Sequence, residues 1–335
     1  MNLTRKRILI TAGEPASISS EITIKAITKL KNQSNIELVV ITDPILLKHE
    51  IKNLNNSAKL NILDNSLNFK DYKNGHINII PIQLVRKSVP GVLNKKNSAF
   101  VINSIETSIN LLFQKKAHAI VTNPINKFIM KSNNFKFSGH TEYLGHLSKL
   151  NKLPVMMLES DKLRVVPLTT HIPISSVSKK LTTEIIIEKV KVLNKELIEI
   201  YKIKNPKIYV SGLNPHSGDG GKIGQEELTI IYPAIKKLEE FGLNVKGPIP
   251  ADTLFQKNKI VEFDVAVCMY HDQALIPIKT LYSNNIINIT LGLDFIRTSP
   301  DHGTALDIAG MKKANPNSLI LAIEKAKDLI YKKNV

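Results

Sequence analysis

Asp264-Val-Ala-Val-Cys-Met-Tyr-His271 is an apolar, β-branched run that ends on a histidine. Two other segments repeat the pattern: Leu163-Arg-Val-Val-Pro-Leu-Thr-Thr-His171 and Lys207-Ile-Tyr-Val-Ser-Gly-Leu-Asn-Pro-His216. Each reads as a strand covered on both faces, which is how strands of a parallel sheet read in sequence. In open α/β sheets, ligands bind at the carboxyl ends of the strands, where loops and helix N-termini converge. Three imidazoles on that edge could hold one divalent metal with a fourth coordination position open, the arrangement of a catalytic zinc site. The histidines are 45 and 55 residues apart. Those spacings are too long for a zinc finger or a helical His pair, so only the fold could assemble the site.

Outward from these segments, short apolar runs alternate with amphipathic stretches, the signature of βαβ units. Further strands are expected at 7–11, 37–42, 77–83, 117–122, 154–158 and 286–290, and helices at 99–115, 182–202, 226–241 and 317–332. The first helix should start near Ser19-Ser20, which can cap it, with Glu21 in its first turn. Residues 44–76 are polar and weakly periodic and read as an irregular surface excursion.

The 335 residues can bury a large core, and length alone suggests about two domains. No apolar run approaches a membrane span. The basic start, Met1-Asn-Leu-Thr-Arg-Lys-Arg7, runs straight into a first strand and lacks an h-region. With a single cysteine, Cys268, inside an apolar run, this fits a cytoplasmic protein. A net charge of +17 raises nucleic-acid binding. The lysines are spread along the whole chain, however, and aromatics make up only 5%, so solvated surfaces explain the charge better and no specific nucleic acid or membrane partner is expected. A modest positive field would favour an anionic substrate.

The loop Asn214-Pro-His-Ser-Gly-Asp-Gly-Gly-Lys-Ile-Gly-Gln-Glu-Glu227 combines four glycines with a helix start and can wrap tightly around a ligand. Ser138-Gly-His-Thr-Glu142 opens a helix whose N-terminus favours a phosphate. Between Tyr270 and Gly310 lie Asp272, Gln273, Lys279, Asn288, Arg297, Asp301 and His302. Lys279 and Arg297 could clamp a phosphate or carboxylate; a solvated basic face is the alternative. Neither glycine-rich nucleotide fingerprint is present, so any nucleotide is bound without those loops.

Taken in order, Gly13-Glu-Pro-Ala, Thr122-Asn-Pro-Ile-Asn-Lys127, Gly139-His-Thr-Glu142, Thr170-His-Ile-Pro173, Gly212-Leu-Asn-Pro-His216, Ala251-Asp-Thr253, Tyr270-His-Asp-Gln273, Thr290-Leu-Gly-Leu with Arg297-Thr-Ser, and Asp301-His-Gly-Thr-Ala305 resemble the 4-hydroxythreonine-4-phosphate dehydrogenase family of pyridoxal phosphate biosynthesis. The likeness runs from about residue 8 to 312. His302-Gly-Thr-Ala-Leu-Asp-Ile-Ala-Gly310 is also similar to the cofactor segment of isocitrate and isopropylmalate dehydrogenases.

The resemblance implies an α/β protein of that type: two α/β/α domains with mostly parallel sheets and an active-site cleft between them. Residues 1–137 and 296–335 would form a discontinuous domain on the cofactor side, and 138–295 a second domain on the metal and dimer side. It implies one divalent metal (Zn, Co or Mg) on His171, His216 and His271, in a homodimer whose metal site is shared between subunits. Substrate contacts fall to His140, Thr141, Lys279, Asn288 and Arg297, and NAD or NADP contacts to His302, Gly303, Thr304 and Asp307. Asp252 and Asp272 are the proton-acceptor candidates. The implied reaction oxidises the small phosphorylated amino acid 4-phosphooxy-L-threonine to 2-amino-3-oxo-4-phosphooxybutanoate, which decarboxylates to 3-amino-2-oxopropyl phosphate. The rivals are a related dehydrogenase of another phosphorylated hydroxy acid and a binding protein that lost turnover. One departure favours the latter: the family loop Gly-Asp-Pro-Ala-Gly-Ile-Gly-Pro-Glu reads Gly13-Glu-Pro-Ala-Ser-Ile-Ser-Ser-Glu21 here. If positions 17 and 19 need φ > 0, Ser17 and Ser19 strain the turn.

Overall fold

The structure, a computed structural model, describes residues 5–30, 35–64, 71–131, 135–137, 139–148, 153–283 and 285–333. The chain divides into two compact units, Met1–Gly139 with Phe295–Val335, and His140–Asp294. Among the described residues the strands in chain order are β1 (Lys6–Thr11), β2 (Ile36–Thr42), β3 (Lys59–Ile62), β4 (His76–Pro81), β5 (Ala119–Val121), β6 (Val155–Glu159), β7 (Arg164–Thr169), β8 (Ile208–Ser211), β9 (Val245–Ile249), β10 (Val265–Tyr270), β11 (Ile287–Leu291) and β12 (Ile296–Pro300).

In the first unit the strand order is β3-β4-β2-β1-β5-β12, and its pairings are parallel. Every residue of β2 is buried, as expected for a parallel strand with both faces covered. The helix Ser19–Leu30 is buried over most of its surface, Ile22, Ile24, Ala26, Ile27 and Leu30 included, and leaves only the stripe of Lys25, Thr28 and Lys29 more accessible. In the second unit the order is β11-β6-β7-β10-β8-β9. Here β7, β10, β8 and β9 pair in parallel, whereas β6 runs antiparallel to both neighbours. The sheets are therefore mostly parallel, as the alternation of runs predicts. No helix among the described residues is long and apolar enough to cross a membrane.

Three strands escape the sequence pattern. β3 is an edge strand with three of its four residues at least partly exposed, β9 is interrupted by Gly247-Pro248, and β12 reads Ile-Arg-Thr-Ser-Pro yet is wholly buried. The expected excursion over 44–76 is corrected: it contains the helix Pro44–Asn53 as well as β3. That helix is set by its start, where Asp43 accepts hydrogen bonds from the N–H groups of Ile45 and Leu46 and Pro44 occupies the first turn. The expected helix 226–241 begins as a π-turn, Glu227–Ile231, before Tyr232–Glu240. At the first helix, the Ser19 N–H donates to the Ser17 hydroxyl at 3.0 Å, so Ser17 caps the start rather than Ser19 or Ser20.

Arg7 and Glu37 are register partners on β1 and β2, both buried, with Nη2 2.7 Å from Oε2. Removing one partner of such a pair leaves an uncompensated buried charge. Arg7→Ala should therefore lose about 3–5 kcal/mol in urea unfolding, and Arg7→Met with Glu37→Leu considerably less.

Candidate active site

β7 and β10 are parallel neighbours, with Thr169 in register with Tyr270. Their carboxyl ends therefore deliver His171 and His271 to one edge. His271 is the first residue of the helix His271–Tyr282. The two rings lie 5.9 Å apart between centroids, tilted by 44°. The Asp272 carboxylate sits 2.6 Å from His271 Nδ1, fixing the ring and turning Nε2 outward. His171 has φ +52°, a left-handed conformation rare for a non-glycine residue and characteristic of functional sites. Thr169–Ile172, Ile174, Val177 and Tyr270–Asp272 line a cleft of about 280 Å³ at this edge.

His216 stands apart from this pair. It follows β8, beside β10 in the sheet, and is exposed in a run of left-handed backbone: His216, Ser217, Gly218, Asp219 and Gly220 have φ between 43° and 81°. Left-handed backbone costs about 1–2 kcal/mol for each non-glycine residue, and three of these five are not glycine. Among the described residues, no group of three or more His, Cys, Asp or Glu side chains gathers to hold a metal within one chain. His171 and His271 are brought together, and among the described residues His216 does not complete a metal-holding group with them within one chain.

The other expected residues fall in both units. In the second, His140 and Thr141 open the helix His140–Leu147 and are half-buried; Ser138 lies outside the described residues. Lys279 is exposed near the end of the His271–Tyr282 helix, Asn288 is half-buried on β11, and Asp252 is exposed in the first turn of the helix Ala251–Leu254. In the first unit, Arg297 on β12 is only 2% exposed, with Nε and Nη2 donating to the Thr122 hydroxyl at 3.2 and 2.7 Å. His302, Gly303, Thr304 and Asp307 follow β12, and Ala305 has φ +44°. The His302 Nδ1 faces the Gly303 carbonyl at 3.0 Å, while its Nε2 is buried with no hydrogen-bond partner.

The serines of the first loop are not strained. Neither Ser17 nor Ser19 has positive φ, whereas Gly13 does (φ +70°), and a Cβ there would meet Asn123 Cβ at 2.7 Å and the Pro124 carbonyl at 2.8 Å. The Ser17 hydroxyl donates to the Glu14 carbonyl at 2.6 Å and lies 2.8 Å from that of Ser19.

Three further polar side chains, half-buried Lys189 and Gln273 and buried Glu227, hold backbone near these strands. Lys189 donates to the Leu168 carbonyl on β7 at 2.6 Å, and burial pulls its pKa below the lysine range, partly offset by Glu142. Gln273 and Glu227 bond the backbone around β8, as described below. Gln273 and Glu227 fall within segments quoted above, but their roles, like that of Lys189, depend on backbone that only folding brings to them. Cys268 is buried, and burial raises its thiol pKa far above the ordinary range, as its place in an apolar run implies.

Glu14, 2% exposed, has its pKa raised chiefly by burial, with the Ala16 N–H acting against it. The native state then holds a proton that the unfolded chain has released, so stability falls as pH rises from the ordinary carboxylate range through the raised value. Glu14→Gln should raise the melting temperature at neutral pH and flatten its pH dependence over that window; melts across the acid-to-neutral range measure this.

Isocitrate dehydrogenase from Methylococcus capsulatus shares the fold at 11% identity, with a TM-score of 0.50 over 98% of this chain and 87% of that one. That likeness is one of fold: an α/β protein with mostly parallel strands. A crystal structure of 4-hydroxythreonine-4-phosphate dehydrogenase from Klebsiella pneumoniae is far more similar: TM-score 0.85 and 33% identity over 97% of this chain and 99% of that one. The 4-hydroxythreonine-4-phosphate dehydrogenase of Shewanella frigidimarina is 41% identical, over 98% of this chain and 99% of the relative. The family model described as pyridoxal phosphate biosynthetic protein PdxA matches residues 34–326. The chain belongs to this family of dehydrogenases, which are oxidoreductases.

Proposed function

We propose that this protein oxidises the C3 hydroxyl of 4-phosphooxy-L-threonine with NAD⁺ or NADP⁺ as hydride acceptor. The product, 2-amino-3-oxo-4-phosphooxybutanoate, then loses carbon dioxide to give 3-amino-2-oxopropyl phosphate for pyridoxal phosphate synthesis. The observation that carries the reading is the His171–His271 pair at one strand edge, with Asp272 on His271 Nδ1.

That pair fits a divalent ion. Asp272 fixes the tautomer that leaves Nε2 to coordinate, and an imidazole set suits Zn²⁺ or Co²⁺ better than Mg²⁺. His216 would complete the set from a second copy of the chain, so the working unit is a cytoplasmic homodimer with one metal per subunit. Lewis-acid polarisation of the substrate hydroxyl is the chemistry such an ion supplies when bound. His140, Thr141, Lys279, Asn288 and Arg297 hold the substrate's phosphate and carboxylate, fixing C3 for hydride transfer. Because Asp272 is engaged by His271, Asp252 is the better proton acceptor. The orphaned Nε2 of His302 fits a nicotinamide cofactor: with Nδ1 facing Gly303, it is an acceptor awaiting a donor. Gly303, Thr304 and Asp307 extend that cofactor loop.

The test follows reduction of NAD⁺ and NADP⁺ spectrophotometrically with 4-phosphooxy-L-threonine, before and after chelation and after returning Zn²⁺, Co²⁺ or Mg²⁺. Turnover should disappear with chelator and return with metal. Full activity in a metal-free sample would refute the metal's role, and turnover only with another phosphorylated hydroxy acid would refute the substrate.

A further inference from the structure

We propose that Glu227 is a positioning residue of the metal site: its buried carboxylate, together with the Gln273 carboxamide, fixes the backbone that presents His216 to the second copy. The proposal rests on the reading of His216 as a metal ligand given above.

Glu227 is 3% exposed. Its Oε1 accepts the N–H groups of Leu213 at 2.8 Å and Asn214 at 2.7 Å, and its Oε2 accepts the Asn214 side-chain amide at 2.9 Å. Gln273 Nε2 donates to the Gly212 carbonyl at 2.7 Å. Backbone groups of three successive residues, 212 to 214, are thus held by two side chains just before the left-handed run begins. Left-handed conformations persist only where the surroundings over-determine them. Glu227 supplies that constraint, because the loop folds around its carboxylate. A Cβ on Gly218 would lie 2.7 Å from Oε2, and one on Gly212 would lie 3.1 Å from Oε1.

Gln273 joins this clamp to the other ligands. It lies two residues after His271, and its Oε1 accepts the Met269 N–H at 2.7 Å and the Ser211 hydroxyl at 2.8 Å. One amide therefore ties the end of β10, which leads into His271, to the end of β8, which leads into His216. Positioning groups of this kind act on metal affinity by fixing ligand orientation.

The experiment is calorimetric titration of the metal-free protein with Co²⁺. Glu227→Gln keeps the size of the side chain but turns an amide N–H₂ toward the Asn214 N–H₂. It should weaken Co²⁺ binding about 10- to 100-fold, the range for groups that orient ligands. In a His216→Ala background the same change should have almost no further effect, because Glu227 acts through His216. Amide hydrogen exchange without metal should show lost protection at Leu213 and Asn214. Unchanged affinity in the Glu227→Gln single variant, or an equal loss in both backgrounds, would overturn the proposal. If His216→Ala alone leaves Co²⁺ affinity unchanged, the ligand reading fails and takes this proposal with it. Should Glu227→Gln not fold, Gly218→Ala, at the buried turn of the loop, crowds the same carboxylate and carries the same expectations.

Discussion

Alanine at His171 or His271 is expected to lower turnover by about a thousandfold, the scale seen when a charge-stabilising group is removed from a reacting oxygen. The fold should survive, since both side chains sit at a solvent-facing strand edge and neither belongs to the core. His216→Ala should be equally inactive although its imidazole stands apart from the pair in one chain. Mixing inactive His216→Ala with inactive His271→Ala subunits should then restore activity. A mixed dimer assembles one site with all three imidazoles and one with a single imidazole, so random exchange should give about a quarter of wild-type turnover in a two-fold dimer. No activity after verified subunit exchange would remove support for a shared site, and a fully active monomer by light scattering would exclude it.

Arg297→Lys is the second large effect. The guanidinium is 2% exposed and braced by Thr122 through two nitrogens, so its direction is fixed before any substrate arrives. Lysine keeps the charge but has neither the planar fork nor the brace. KM for the phosphorylated substrate should rise about 10- to 100-fold, the equivalent of one charge-assisted hydrogen bond of about 1.5–3 kcal/mol, with KM for NAD⁺ little changed. Thr122→Val should shift the same constant in the same direction by less. Equal effects on both constants would place Arg297 away from the substrate.

How much of this was legible depends on whether a residue's role is local. β7, β8 and β10 announce themselves as apolar runs, and the histidines at their ends follow from strand direction alone. β12 does not, because Arg297, Thr298 and Ser299 look like surface letters, although they are buried on a strand beside β5. The glycines of the 214–227 loop signal unusual backbone, yet His216, Ser217 and Asp219 share that backbone without any sequence mark. Gln273 stands in a quoted motif and Glu227 ends the glycine-rich loop, yet neither role is legible: Gln273 meets Ser211 and Gly212 only once β8 lies beside β10, and Glu227 meets Leu213 and Asn214 only once the loop folds back on itself. The serines of the first loop misled in the opposite direction. A glycine-based expectation flagged strain there, whereas Gly13 alone takes the left-handed turn and the serine hydroxyls bond around it.

The first unit is closed by its last segment: β12 pairs with β5, and the helix Asn317–Lys333 packs against β1, β5 and β12. During synthesis, β5 therefore leaves the ribosome with that edge bare and waits for about half the chain to be made before its partner arrives. An unpaired parallel edge is a template for wrong pairing, and the residues in between can fold first as their own unit. Chains cut short before residue 296 should therefore carry a finished second unit and an aggregation-prone first one. Synthesis that stops short of β12 thus leaves a product with one sound half and one hazardous one.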